Sequence, residues 1–222
     1  MAASAIAMLS ATCAYAGGTD QYGTWNDGSF AGSQINNAQI NTQTNWSNLN
    51  GNVDTVVGSV AVQGAAGGNL MDITTMNNTM VNNSQIVGSG ASIGSNINTS
   101  LNNIGGSIGI QNQVLCNGVS VSTDPTYAST HSYQECNAAD PSSQINASVT
   151  NIAGDAVFQG SALGNSFEAD SNAPNMPIFN KQISNGTVAS TVNANIYNIG
   201  GSTSLTSSAI GNTGQIIHYN TN

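Results

Sequence analysis

Four groupings of side chains in this chain have types that could do chemistry. Asp124, His131 and Ser132 supply the members of a nucleophilic triad, but no G-x-S-x-G turn is present to expose a serine nucleophile. Asp72 and Glu168 are carboxylates, and glycoside hydrolysis needs two of these converging across one bond. Cys116, Cys136 and His131 are zinc-ligand types without the C-x-x-C spacing of a structural site. The glycine-rich run 64–68 lacks the Gly-Lys-Ser/Thr ending of a phosphate-binding loop. None of the four completes its motif. The sequence therefore predicts a protein that is not an enzyme, with no catalytic, cofactor-binding or metal-binding residues.

The cysteines have a simpler expected use. Ala2 to Cys13 is small or apolar throughout, and Ala14-Tyr15-Ala16 is an A-x-A cleavage pattern followed by a polar chain. Residues 1–16 are expected to be a signal peptide, cleaved at the Ala14/Ala16 pattern, although no basic residue follows Met1. Cys13 would leave with it. Cys116 and Cys136 would remain, an even pair suited to a disulfide in an oxidising compartment.

Composition narrows the partners. Only 5% of the 222 residues are charged, and a single lysine, Lys181, stands among ten acidic residues for a net charge of -9. Nucleic acid is excluded as a partner, because phosphate binding needs many basic residues to displace counterions. A polybasic membrane patch is excluded on the same ground. Asn, Ser, Thr, Gly and Ala take the place of charge, and such surfaces can stack closely, as in cross-β ladders.

The elements that would position these residues come from an internal duplication. Residues 50–72, NGNVDTVVGSVAVQGAAGGNLMD, align without gaps on residues 146–168, NASVTNIAGDAVFQGSALGNSFE, at an offset of 96. The repeat motif is Gln63, Gly64, Ala66, Gly68 and Asn69 in the first copy, and Gln159, Gly160, Ala162, Gly164 and Asn165 in the second. Asn103-Ile104-Gly105-Gly106-Ser107 recurs as Asn198-Ile199-Gly200-Gly201-Ser202 at an offset of 95. A Gln-Ile pair recurs at Gln34, Gln85, Gln144, Gln182 and Gln215 with irregular spacing, and is expected to mark equivalent strands. The division that follows is an N-terminal cap segment 17–49, β repeat unit 1 at 50–117, a disulfide-pinned insertion at 118–145 and β repeat unit 2 at 146–222. Tyr22, Trp25 and Phe30 would close one end of the stack. All four prolines fall at or after residue 125, in the insertion and in a second loop at 170–179.

Period-two alternation predicts strands. It is visible at Ala38, Ile40, Thr42, Thr44 and Trp46, at Ile108 and Ile110, and at Val192, Ala194 and Ile196. Asn50-Gly51, Asn117-Gly118 and Asn185-Gly186 read as turns. The apolar residues are mostly Val, Ile and Ala, which suit a narrow core. The expected fold is all-β, a β-solenoid or β-helix-like stack built from a duplicated unit of about 96 residues, with a β-sandwich as the alternative.

On the two Gln-x-Ala-x-Gly-Asn segments and the recurring Gln-Ile pairs, the chain resembles secreted bacterial β-solenoid surface proteins: curli-type fibre subunits and the holdfast-anchoring proteins of stalked bacteria. It departs from the curlin pattern, whose repeat is short and regular. The resemblance implies a secreted protein at the exterior of a Gram-negative outer membrane. Its role there would be to assemble or anchor adhesive fibres through stacked strands, in attachment or biofilm. The implied partners are copies of itself or other fibre subunits, and the outer-membrane secretion and anchoring machinery. The alternative is a module whose flat Thr/Ser/Asn-rich face binds polysaccharide or ice.

Overall fold

The computed structural model describes residues 32–124 and 127–219. Twelve strands follow one another in four coils of three. The first coil holds β1 (Ser33–Asn41), β2 (Asn45–Val56) and β3 (Val60–Thr75). The second holds β4 (Thr79–Val87), β5 (Ser92–Ile104) and β6 (Ile108–Thr123). The third holds β7 (Ala128–Cys136), β8 (Ala139–Ile152) and β9 (Ala156–Ser171), and the fourth β10 (Ile178–Ser184), β11 (Ala189–Ile199) and β12 (Thr203–His218). Each strand pairs in parallel with its counterpart one coil away. Three four-stranded sheets result: sheet A (β1-β4-β7-β10), sheet B (β2-β5-β8-β11) and sheet C (β3-β6-β9-β12). The expected β-solenoid is present.

The register corrects the expected repeat. Leu49 lies beside Ile97, Ile97 beside Ile145 and Ile145 beside Val192, so the structural unit is a coil of 47 or 48 residues at this position. The 96-residue duplication spans two coils. Its physical origin is size complementarity down single columns. Gly64, Asn112, Gly160 and Ser207 share one column, and Ala66, Val114, Ala162 and Ala209 another. The second coil carries the larger side chain in each, and the first and third carry the smaller. A Cβ on Gly64 would come within 2.8 Å of the Asn112 side-chain oxygen, closer than packed atoms tolerate. Coils one and three therefore resemble each other more than either resembles coil two.

The segment 118–145 is not an insertion. It completes β6, forms all of β7 and begins β8, and β7 is hydrogen-bonded in register to β4 on one side and β10 on the other. Its proline content misleads because Pro141 sits at an irregularity: the pairing of β8 with β5 shifts between Ser92 and Gly94, and Asp140 has a φ of 50°. A bulge is one of the places where a strand accepts proline. Pro174 and Pro177 lie in the connection 172–177 between β9 and β10, inside the expected loop. Likewise, residues 33–49 are no cap, because they form β1 and the start of β2 in the first coil. The signal segment with Ala14 and Ala16, and the expected cap aromatics Tyr22, Trp25 and Phe30, lie outside the described residues.

Two local expectations also change. In β1 the inward residues are Ile35, Asn37 and Gln39, while Ile40 points out and is 62% exposed. The apparent alternation from Ala38 to Trp46 runs across the turn 42–44, and sheet A lines its interior with columns of amides beside aliphatics such as Val81. Asn50-Gly51 and Asn117-Gly118 lie within β2 and β6, whereas Asn185-Gly186 does fall in a connection. The corner before sheet C is made instead at Thr55, Asn103, Asn151 and Asn198, whose φ values are 59°, 55°, 57° and 57°. Asparagine tolerates this left-handed conformation better than other non-glycine residues.

The main core lies between sheets B and C. Ile97, Leu101 and Ile104 of β5, Ile145, Val149 and Ile152 of β8, and Ile110 and Phe158 opposite them are all buried. Full burial of each such side chain contributes about 1.5–3 kcal/mol. A smaller cluster of Val81, Val119, Val121 and Phe167 lies between sheets A and C. A third surrounds Cys116 and Cys136, which are bonded with Cα atoms 6.0 Å apart. The predicted disulfide is formed, but it ties the second coil to the third rather than closing an insertion.

Candidate assembly and binding surfaces

Amide columns dominate the inside of one seam. Gln85 Nε2 donates to Gln39 Oε1 at 2.8 Å, Gln134 Nε2 to Gln85 Oε1 at 3.1 Å, and Gln182 Nε2 to Gln134 Oε1 at 2.9 Å. Facing them on sheet C, Asn69 Nδ2 donates to Asn117 Oδ1 at 3.0 Å, Asn117 to Asn165 at 2.8 Å and Asn165 to Asn212 at 2.7 Å. The two columns also clasp each other's backbones. Gln85 donates to the carbonyl of Gly118, the residue after Asn117, and Asn117 donates to the carbonyl of Glu135, the residue after Gln134. Buried amides of this kind are tolerated because their donors and acceptors are paired.

The ladders have direction. Along the Gln column each coil donates to the one before it. Along the Asn column each coil donates to the one after it. Among the described residues, the fourth-coil end thus leaves the Gln182 Oε1 acceptor and the Asn212 Nδ2 donor without a ladder partner. The first-coil end leaves a second N–H on Gln39, beyond the one given to the Leu70 carbonyl, and the Asn69 Oδ1 acceptor.

Apolar rows reach both ends with them. Leu205 continues the inward column Val62–Ile110–Phe158 yet is 50% exposed, and Ile216 continues Ile73–Val121–Ala169 yet is 57% exposed. Val192, Ile196 and Ile199 cover the main core only from one side. Among the described residues, strands β10, β11 and β12 end the three sheets at this end, as β1, β2 and β3 do at the other.

The outward face of sheet B is a second regular array. Asn98 donates to Asn50 at 2.8 Å, Asn146 to Asn98 at 2.9 Å and Asn193 to Asn146 at 3.0 Å. Two residues along each strand, Asn52, Ser100, Ser148 and Asn195 form the parallel column. A shallow trough of about 1190 Å³ runs between the two columns and reaches the fourth-coil end at Val192 and Leu205.

The groupings singled out for chemistry separate in space. His131 and Ser132 are neighbours in β7 and so point to opposite faces: Ser132 is buried, while the His131 ring stacks on Phe179 at 6.0 Å. Asp124 is exposed beyond the end of β6. Asp72 and Glu168 share an outward column of sheet C with Ser120 between them. Cys116 and Cys136 are consumed in the disulfide. Among the described residues no group of three His, Cys, Asp or Glu side chains is placed to hold a metal ion.

The repeat motif has structural duties. Gln63 and Gln159 lie on the outward face with Gln111 between them. Asn69 and Asn165 are ladder members. Gly164 admits the backbone of the next coil, since a Cβ there would strike the Gly211 carbonyl oxygen.

Of the Gln-Ile pairs, Gln85 and Gln182 do mark equivalent strands, β4 and β10. Gln34, Gln144 and Gln215 do not join that column. The full Gln column went unread, and the readable signal was a Gln at 39, 85, 134 and 182 with nearly constant spacing.

One outward cluster of sheet A is charged. Glu135 accepts hydrogen bonds from Tyr133 Oη at 2.5 Å and Asn137 Nδ2 at 2.6 Å. The bond from Tyr133 first, then that from Asn137, holds its carboxyl below the usual range, and Lys181 adds a smaller attraction. The Lys181 ammonium lies 5.5 Å from the centre of the Tyr133 ring.

No protein-family model matches the chain, and comparison with curated proteins and with solved structures found no match. Among the described residues the fold and its surfaces define the class: a three-sided parallel β-solenoid with directional amide ladders and a polar trough.

Proposed function

We propose that this protein is an exported structural protein that assembles or anchors surface fibres by stacking its coils end to end, in the service of adhesion. The observation carrying the reading is the complementarity of the two ends. If coil one of a second copy continues the register beyond coil four, Gln39 N–H meets the Gln182 acceptor and the Asn212 donor meets Asn69 Oδ1. Leu49 then covers Val192, Val53 covers Ile196, and Val62 covers Leu205. Each contact repeats one already made between adjacent coils, and unpaired parallel edges are a template for such addition. Export is supported by the Ala14/Ala16 pattern and by a disulfide, which persists in oxidising compartments. Other fibre subunits and a secretion or anchoring apparatus in the outer membrane are the partners this role requires.

Incubation of the purified chain tests the reading. Electron microscopy should show unbranched fibres, and diffraction a meridional spacing of about 4.8 Å. Leu205→Arg, which places a charge on the open end, should abolish elongation while leaving the monomer folded. A persistent monomer at high concentration, or fibres unaffected by L205R, overturns the end-to-end arrangement.

A further inference from the structure

We propose that the trough on the outward face of sheet B binds an extended, uncharged, hydroxyl-rich polysaccharide lying across the strands, parallel to the axis of the stack. The trough crosses all four strands of the sheet, so three strand spacings give it a length of about 14 Å. None of its lining residues is charged or aromatic; they are chiefly Asn, Ser, Gly and Ala, with one threonine and, at the fourth-coil end, Val192 and Leu205. An acidic polymer or a nucleic acid finds no cation there.

Hydrogen-bond accounting defines the ligand further. Asn98 spends one N–H and one lone pair within the ladder, whereas Asn146 also donates to Asn96 at 3.4 Å and accepts from Gln144 at 3.5 Å. A side-chain amide has two of each, so Asn50, Asn98 and Asn193 keep an N–H and a lone pair for a ligand, on rungs set about 4.8 Å apart along the sheet. Both are needed for hydroxyls, which donate and accept. A peptide strand would seek backbone partners instead, and the backbones of β5 and β8 are occupied on both sides by their sheet neighbours. A flat ice plane could touch the rims but not the recessed floor. A narrow chain of sugars can lie in it. Should the coils stack end to end, the trough would run on from one copy to the next; binding to a single copy does not rest on that reading.

The test uses the full chain as a monomeric fraction, mixed with microcrystalline cellulose and with chitin as neutral polymers and with alginate as an acidic one. Ser100 and Ser148 are exposed on the trough wall, so Ser100→Arg and Ser148→Arg obstruct it without touching the Asn ladder. Gln159→Arg places the same charge on the outward face of sheet C. Circular dichroism checks that all variants fold.

The expected result is retention of wild type and Q159R on at least one neutral polymer. Retention should weaken by about tenfold or more in S148R and in the double variant, a loss of about 1.4 kcal/mol. Alginate should not compete. Four outcomes overturn the proposal: no retention on either neutral polymer, retention unchanged in the double variant, binding to alginate alone, or thermal hysteresis without polysaccharide binding. A monomer that never forms fibres yet is retained refutes only the end-to-end reading, and fibres that retain no polysaccharide refute only this one.

Discussion

Gln134 of the third coil donates a hydrogen bond of 3.1 Å to Gln85 of the second, and both side chains are fully buried. Both N–H groups of Gln85 are also given away, to Gln39 and to the carbonyl of Gly118, as those of Gln134 are to Gln85 and to the carbonyl of Ser166.

Replacing Gln85 by Glu removes both N–H donors and brings a carboxyl into the interior. Burial raises the carboxyl pKa of the folded form above its unfolded value. The destabilisation should therefore be smallest at acid pH, where the group is neutral in both states, and should grow as pH rises through the folded pKa. At pH 7 a loss of about 3–5 kcal/mol is expected for an unpaired buried charge. Denaturant titrations of Q85E at pH 4 and pH 8 check it, and equal losses at the two values would contradict the ladder account.

The disulfide joins coils two and three, each of which is already hydrogen-bonded through three sheets. Cys116→Ala with Cys136→Ala should cost about 3 kcal/mol, the chain-entropy value for a loop of this size. For a chain of this length that lowers Tm by about 6–12 °C. Circular dichroism should retain the β signal below the new Tm, since no strand pairing depends on the bond.

Two glycines in sheet C make opposite predictions. A Cβ at Gly68 would run into the Cys116 carbonyl oxygen and lie 2.9 Å from Val87 Cγ2, whereas nothing lies within 4 Å of one at Gly109. Gly68→Ala should destabilise by about 1–3 kcal/mol, as overpacking does. Gly109→Ala should be neutral or stabilising by up to about 1 kcal/mol, because it removes backbone freedom from the unfolded chain. Equilibrium unfolding of the two variants decides the matter.

Glu135 links stability to acidity. Its carboxyl pKa is held below the ordinary value by the bonds from Tyr133 and Asn137. The stabilisation is present above the unfolded pKa, near 4.3, and is lost as pH falls through the lower folded value. Glu135→Gln should thus flatten the acid limb of the stability curve below about pH 5 and leave the dependence above pH 6 unchanged. A curve with an unaltered acid limb would show that the Tyr133 bond does not favour the ionised form.

Local rules in the sequence determined that this is a β protein of stacked repeats. Gly64, Ala66 and Gly68 recur at Gly160, Ala162 and Gly164 because each column has a fixed width, and that constraint is written residue by residue. Cys116 and Cys136 were legible as a pair, since two thiols without metal-ligand spacing have few other uses. What the sequence left open was what lies beside what. A duplication at offset 96 is equally compatible with two stacked units and with four coils of half that length. The choice rests on pairings between strands nearly 50 residues apart, such as Asn82 beside His131, which no local preference encodes. Tertiary structure alone decided that β7 belongs in the stack despite its polar sequence, because a polar segment can be buried once Gln134 and Ser132 find partners in the neighbouring coils. It also decided that Gln39, not Ile40, faces inward, since the phase of an alternating strand is set by the neighbour it packs against.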